Sequence, residues 1–341
     1  VSLKFVDNYL PELKQLEHLI ELSNTQLRQQ TLAHVNYNEH LFPIYALSLG
    51  SEKQNAPVIT FVGGVHGLER IGTQVLLAFL ESVIGRLAWD KSLNFLLENV
   101  RLNFVPLVNP VGMACHKRSN GNGVDLMRNA PVNSDEKTAF LVGGQRISPR
   151  IPWYRGKSGE PMQTEAQALS SFIRDDSFHA PFSLVLDCHS GFGLHDRIWF
   201  PYAKSKFQPI QHIGEVFHLR DLLFQAYPYH TYKFEPQAKH YLCHGDLWDY
   251  LYEESLQHNT VFLPLTLEMG SWRWVKKNPL QLLKSVGLFH PVKPHRVKRV
   301  LRSHLVLMEF LIRAVASYPN WLEDGKSLNM DQKATQLWYD N

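Results

Sequence analysis

Cysteine is scarce in this chain: Cys115, Cys188 and Cys243 are the only three in 341 residues, and none makes a CxxC pair. At most one disulfide is possible and thiolate metal ligation has little support, which fits a reducing compartment. An excess of one charge is also missing, since 35 Lys and Arg stand against 32 Asp and Glu. A net charge of +3 gives no argument for a nucleic-acid partner. The basic cluster from Lys293 to Arg302 lacks interleaved aromatics and reads as a solvated face. No run of about 18 apolar residues is present, so no membrane span is expected. The start, Val1-Ser-Leu-Lys-Phe-Val-Asp7, has neither the basic nor the long apolar region of a secretory signal, and a cytoplasmic location is expected. Linkers, repeats and low-complexity stretches are absent too. Residues 1–320 therefore read as a single domain, followed by a tail, 321–341, whose Trp321, Trp338 and Tyr339 are expected to dock on the body.

Hydrophobic spacing supplies the elements. Leu13, Leu16, Leu19, Ile20 and Leu27 predict an opening amphipathic helix over 10–27. Strand-like runs follow at 43–49, 58–62 and 100–108, with a helical stretch at 71–87 between the last two, a strand–helix–strand unit. Residues 109–160 are rich in Asn, Gly, Pro and Ser, and a loop of that length inside a compact domain is usually functional. Beyond it the pattern predicts helices at 164–174, 209–227, 246–254 and 299–315, and strands at 182–187 and 261–267.

Chemistry concentrates at strand ends. His66-Gly-Leu-Glu69 follows the run Val58-Ile-Thr-Phe-Val62, and a turn there can project both side chains to one side. His189, in Asp187-Cys-His189, closes a second apolar run, where open α/β sheets place their ligands. Two His and one Glu, with the fourth position left to water, is the pattern of catalytic zinc. Glu268 ends the run Val261-Phe-Leu-Pro-Leu-Thr-Leu267 and has the place of a general base, one that takes a proton from the water and passes it to a leaving amine. Arg118 and Arg128 lie in a glycine-rich loop, where one guanidinium suits a carboxylate and a second an oxyanion. Asp187 is placed to orient a ligating histidine or to form a core ion pair. His195, His230, His240 and His244 read as surface or satisfied residues. Asp187, His195 and Asp196 lie near His189 in sequence, but no bridging carboxylate is evident, and one zinc per chain is expected.

The ordered set Gly63-Gly-Val-His66-Gly-Leu-Glu69, Asn109-Pro110, Arg118, Gly123-Val-Asp125-Leu-Met-Arg128-Asn129, Asp187-Cys-His189-Ser190 and Thr266-Leu-Glu268 resembles the M14 zinc carboxypeptidases. It is more distantly similar to the aspartoacylase and succinylglutamate desuccinylase group. The resemblance implies an α/β fold, a mixed, mostly parallel eight-stranded sheet between helices. It implies zinc on His66, Glu69 and His189, Glu268 as general base to a zinc-activated water, Arg118 at the oxyanion and Arg128 at the terminal carboxylate. Tyr241, eight residues before Asp249, has the position of a mobile tyrosine over the site.

Two departures touch recognition. Met127 stands where the family has Asn before the carboxylate-binding Arg, removing one donor, and Asn129 is the nearby candidate to replace it. Trp248 stands at the position that resembles the specificity residue, and Asp246 nearby either selects a basic group or caps a helix. The leading expectation is cleavage of a C-terminal residue from a peptide. An N-acyl amino acid deacylase is the rival within hydrolases, and a catalytically silent zinc- or peptide-binding form is the third reading. The pattern does not fix the oligomeric state.

Overall fold

The computed structural model describes residues 10–23, 26–283, 286–322 and 328–340. Its centre is an eight-stranded sheet in the order β1-β2-β4-β3-β5-β8-β6-β7. The strands are β1 (Arg28–Tyr37), β2 (His40–Gly50), β3 (Val58–Gly63), β4 (Arg101–Val105), β5 (Phe182–Ser190), β6 (Arg197–Phe200), β7 (Lys233–Pro236) and β8 (Val261–Met269). Strands β4, β3, β5 and β8 run parallel, as do β6 and β7, while β1, β2 and the β6–β8 pair are antiparallel. This is the mixed, mostly parallel sheet flanked by helices that the motif set implies.

The middle strands are the continuous apolar runs. Every residue of β3 and β5 is buried, as is all of β8 but Val261, the signature of strands covered on both faces. The outer hairpin is different. β1, Arg-Gln-Gln-Thr-Leu-Ala-His-Val-Asn-Tyr, has no fully buried residue, as suits a polar sheet edge. Asn38 and Glu39 both take positive φ between the paired Tyr37 and His40, a tight two-residue turn.

Helix α1 (Pro11–Ser23) ends earlier than the apolar spacing suggests. Leu27 instead leads into β1, and Asn24 and Thr25 lie outside the described residues. Helix α2 (Arg70–Arg86) buries Ile71, Val75, Leu76, Phe79, Leu80 and Val83 against the sheet. Gly72 in its first turn has no room for a side chain, because a Cβ would stand 2.2 Å from the Cys188 carbonyl oxygen. Helix α3 (Lys91–Leu97) precedes β4, and α4 (Pro110–Ala114) follows it. The Asn109 side chain accepts from the Gly112 amide at 2.8 Å and donates to the Val65 carbonyl at 3.1 Å, stitching α4 to the turn after β3.

From residue 115 to 163 one 3₁₀ turn, Leu126–Arg128, is the regular element. Buried polar side chains order the rest. Gln145 accepts from the Ser148 amide and donates to the Ile151 carbonyl, and the Arg155 guanidinium donates to the Arg128 and Val132 carbonyls. Helices α5 (Thr164–Ser177), α6 (Ile213–Ala226), α7 (Leu247–Ser255) and α8 (Trp272–Lys277) follow. The expected helix over 299–315 is two helices, α9 (Pro294–Ser303) and α10 (Leu305–Ala316), divided at His304. Helix α11 (Leu328–Trp338) lies along α6. Trp338 sits 4.7 Å from Phe200, ring centre to ring centre, and its indole N–H donates to the Phe234 carbonyl.

Candidate active site

Three parallel strands end side by side, and the site is built on their carboxyl ends, where sheet topology places ligands in folds of this class. The chain leaves β3 at Gly63, turns, and enters α2 at Arg70. His66 and Glu69 are on that turn, with the Glu69 amide bonded to the His66 carbonyl at 3.0 Å. Glu69 is the residue before the helix, yet its carboxylate makes no cap. It points instead at two imidazoles. His66 Nδ1 is 2.9 Å from Glu69 Oε1, and His189 Nδ1 is 2.9 Å from Glu69 Oε2, which also accepts from the Ser190 amide.

The outer nitrogen of each ring is taken by a carboxylate. His66 Nε2 lies 3.0 Å from Asp125 Oδ1 and His189 Nε2 lies 2.7 Å from Asp187 Oδ2. A carboxylate accepts, so Nε2–H is the donor in both rings and each Nδ1 presents its remaining position to Glu69. One ligand atom from each of His66, Glu69 and His189 falls within 4.8 Å of the others, and all three residues are buried. Each Nδ1 facing the Glu69 carboxylate at 2.9 Å shares positive charge with it, carried by a proton in the metal-free molecule or by a metal ion in its place. A donor set of two imidazoles and a carboxylate is consistent with zinc.

Electrostatics follow the same pattern. Burial alone would raise the Glu69 carboxyl, but the two imidazoles more than offset it and hold its pKa below the usual range. For His189 burial works downward, and Asp187 and Glu69 outweigh it to raise the ring well above an ordinary histidine. Asp125, buried but beside Arg118 and His66, is held well below the usual carboxylate range.

Glu268 pairs with His189 in the β5–β8 register. Its Oε1 accepts from the Phe192 amide at 2.9 Å. Burial, reinforced by the charge of Glu69, pushes its carboxyl up to about 8. Both residues line a cavity of about 530 Å³, whose other walls carry Arg118, Met127, Arg128, Tyr241 and Phe289. Arg118 bridges inward, with Nε donating to Asp125 Oδ2 at 2.8 Å and Nη1 to Glu69 Oε1 at 3.2 Å. Arg128 is buried, its Nε has no partner among the described residues, and its guanidinium carbon lies 5.7 Å from the Tyr241 ring centre. Gly245, at φ +71°, abuts the Arg128 carbonyl so closely that a Cβ there would overlap it, which locks the two loops together.

Two residues expected to contact substrate do other work. The Asn129 side chain is spent on the loop, donating to the Arg155 carbonyl at 2.9 Å and accepting from the Gln163 amide at 2.6 Å. It does not line the cavity and leaves the donor absent at Met127 unreplaced. Trp248 is buried behind the site rather than in it, with its indole N–H on Asp187. Asp246 is the helix cap: Oδ1 accepts the Trp248 and Asp249 amides at the start of α7, and the residue also lines the cavity.

The remaining histidines have local partners. His240 meets Glu235, His244 accepts from the Ser134 amide, and His230 accepts from the Tyr232 amide and packs on Phe224. Asp196 accepts from the Gly270 amide and pairs with Arg273. The sequence reading gave Asp125 no role, although it joins His66 to Arg118. A lone acid between the apolar Val124 and Leu126 is the signal the sequence offers. It also gave none to Trp199, which lines the cavity and whose buried indole N–H has no partner among the described residues.

The sequence profile of the peptidase M14 family, zinc carboxypeptidase, matches residues 25–273. The chain belongs to that family. Among curated M14 relatives, carboxypeptidase SOL1 of Arabidopsis thaliana is 23% identical over 256 residues, 71% of this chain and 46% of its own length. Human carboxypeptidase D is 23% identical over 270 residues, 70% of this chain and 18% of that protein. The chain thus spans less than half the length of either. Solved structures share the fold: bovine thrombin-activatable fibrinolysis inhibitor superposes with a TM-score of 0.64 at 19% identity, covering 90% of this chain and 96% of that one. Carboxypeptidase A from Helicoverpa armigera gives 0.63 at 18% identity, covering 89% and 72%.

Proposed function

We propose that this M14 protein is a zinc-dependent carboxypeptidase that removes the C-terminal residue of a peptide. The observation that carries the reading is Arg128, a buried guanidinium whose Nε has no partner among the described residues and which lines the cavity that also holds His66, Glu69, His189 and Glu268. A guanidinium lining a pocket beside a hydrolytic centre suits a substrate whose scissile bond lies one residue from a free carboxylate.

His66 Nδ1, Glu69 and His189 Nδ1 would hold the metal. Zinc, when bound, supplies Lewis-acid polarisation of the carbonyl and lowers the pKa of water. Glu268 accepts the proton of the attacking water and delivers it to the leaving amine nitrogen. Arg118, fixed by Asp125, offers N–H groups to the developing oxyanion. Arg128 binds the terminal carboxylate, and Tyr241, packed against Arg128, Phe192 and Trp199, covers the substrate and excludes water.

Met127 favours a second reading, an N-acyl amino acid deacylase, because one donor to a peptide's terminal carboxylate is missing. The test is hydrolysis by zinc-loaded protein of N-blocked dipeptides with free C-termini and of N-acyl amino acids, each with a chelated control. Chelator-sensitive release from the dipeptides supports the carboxypeptidase. Release only from the acyl amino acids transfers the assignment to the deacylase, and silence in both favours the binding-only form.

A further inference from the structure

Trp248 is a tryptophan where the family resemblance led us to expect a residue in contact with substrate, and it is turned away from the cavity. Its indole Nε1–H donates to Asp187 Oδ2 at 2.9 Å. The same oxygen accepts from His189 Nε2 at 2.7 Å. A continuous chain of hydrogen bonds therefore runs from α7 through Asp187 to a metal ligand.

The two histidine arms of the site can be compared. On the His66 arm, Asp125 is fixed by donors from three directions: His66 Nε2, Arg118 Nε and the Met127 amide. On the His189 arm, Asp187 is completely buried and its Oδ1 has no partner among the described residues. Both donors converge on Oδ2, so the rotation of this carboxylate depends on the indole once the histidine is counted. An indole N–H in a buried site is a rigid donor on a side chain with few accessible rotamers. Its base is rigid as well. Asp246 Oδ1 accepts the amides of Trp248 and Asp249, and the Asp249 carboxylate accepts the amides of Ala203 and Lys204, clamping the first turn of α7 to the loop after β6.

We propose that Trp248 is a positioning residue for the metal ligand His189, acting through Asp187. The indole fixes the Asp187 carboxylate, and the carboxylate fixes the ring plane of His189 and keeps its hydrogen on Nε2, leaving Nδ1 for the metal. The proposal rests on the zinc site of the preceding reading and adds a dependence on a residue that touches neither metal nor substrate.

The experiment measures zinc affinity by chelator competition, independently of turnover, for the wild type, W248F, D187N and the double variant. W248F keeps an aromatic ring and removes the N–H. Partners of metal ligands of this kind typically alter affinity 10- to 100-fold, so W248F is expected to bind zinc about tenfold more weakly than the wild type. In the D187N background the same substitution is expected to have almost no further effect, because the path is already cut. W338F is the control: its buried indole N–H donates to the Phe234 carbonyl outside the cavity, and zinc affinity should stay at the wild-type value. A wild type that binds zinc with a W248F equal to it overturns the positioning role alone. So does a W248F loss that persists undiminished in D187N, which would mark a packing effect. A wild type that takes no zinc removes the site and this proposal together. If W248F does not fold, ¹⁵N-indole spectra of the unmutated protein decide, the Trp248 signal being identified by its displacement in D187N. That signal should shift on adding zinc, and an indole spectrum indifferent to zinc overturns the proposal.

Discussion

Gly72 and Cys188 are in backbone contact: a side chain on the glycine would meet the cysteine's carbonyl oxygen at 2.2 Å. This approach seats the start of α2 on β5 and brings Glu69, three residues before the glycine, within 2.9 Å of the amide of Ser190, two residues past the cysteine. The metal triad is therefore assembled from two distant chain segments by the absence of a methyl group. G72A is expected to cost about 1–3 kcal/mol of stability through overpacking and to weaken zinc binding together with it. Thermal unfolding and chelator competition on the variant check this. Wild-type values for both would mean that α2 is free to move off the strand.

Glu268 stands beside the triad without belonging to it, since the ligand atoms that cluster are those of His66, Glu69 and His189. Hydrolysis and metal binding should consequently separate. E268Q is expected to lower kcat/KM by about 10²- to 10⁴-fold, the usual contribution of a proton-transfer group, while zinc stoichiometry remains that of the wild type. Loss of zinc in the variant would instead make Glu268 a ligand. Unchanged hydrolysis would remove it from the reaction.

Legibility in the sequence followed burial. β3, β5 and β8 are covered on both faces, so their runs are continuously apolar and stand out, and the ligands at their ends could be read with them. β1 is an edge strand of polar residues, and β6 and β7 have four residues each, too short for a two-residue period to show. The break at His304 was hidden because apolar residues continue on both sides of it. Trp248 and Asn129 show a different limit. Motif spacing placed both near the recognition region, but spacing does not say which way a side chain turns. Asp187 claimed the indole, and Arg155 and Gln163 claimed the amide.

Met127 lines the cavity beside Arg128, and the neighbouring Asn129 is committed to the loop. A donor placed at 127 would therefore add to the anion site, at the loss of the apolar packing that Met127 supplies. If a substrate carboxylate docks on Arg128, M127N is expected to lower KM by about tenfold for substrates with a free terminal carboxylate, the worth of one hydrogen bond to a charged group. The corresponding C-terminal amides should show no gain. Steady-state kinetics on the two series check this, and equal KM values for wild type and variant on the free acids would place the carboxylate elsewhere.

His304 supplies a pH dependence that lies outside the active site. It is buried at the junction of α9 and α10, and its Nδ1 lies 2.8 Å from the Tyr232 hydroxyl. Burial lowers its pKa to about 4, with Arg273 acting in the same direction and Asp196 against it. Burial pushes the Tyr232 phenol up, so the hydroxyl keeps its hydrogen and donates it to a neutral ring. The folded-state value is below the ordinary 6.5, so the unfolded chain takes up this proton first. Stability tied to His304 is then complete above about pH 6.5 and is lost as pH falls toward 4, by roughly 3 kcal/mol at most. Denaturant unfolding of metal-free protein, which avoids competition between protons and zinc at the ligands, should give a shallower decline for H304N than for the wild type across this window. Parallel declines would show that His304 is already protonated in the folded chain or that its junction opens before the ring titrates.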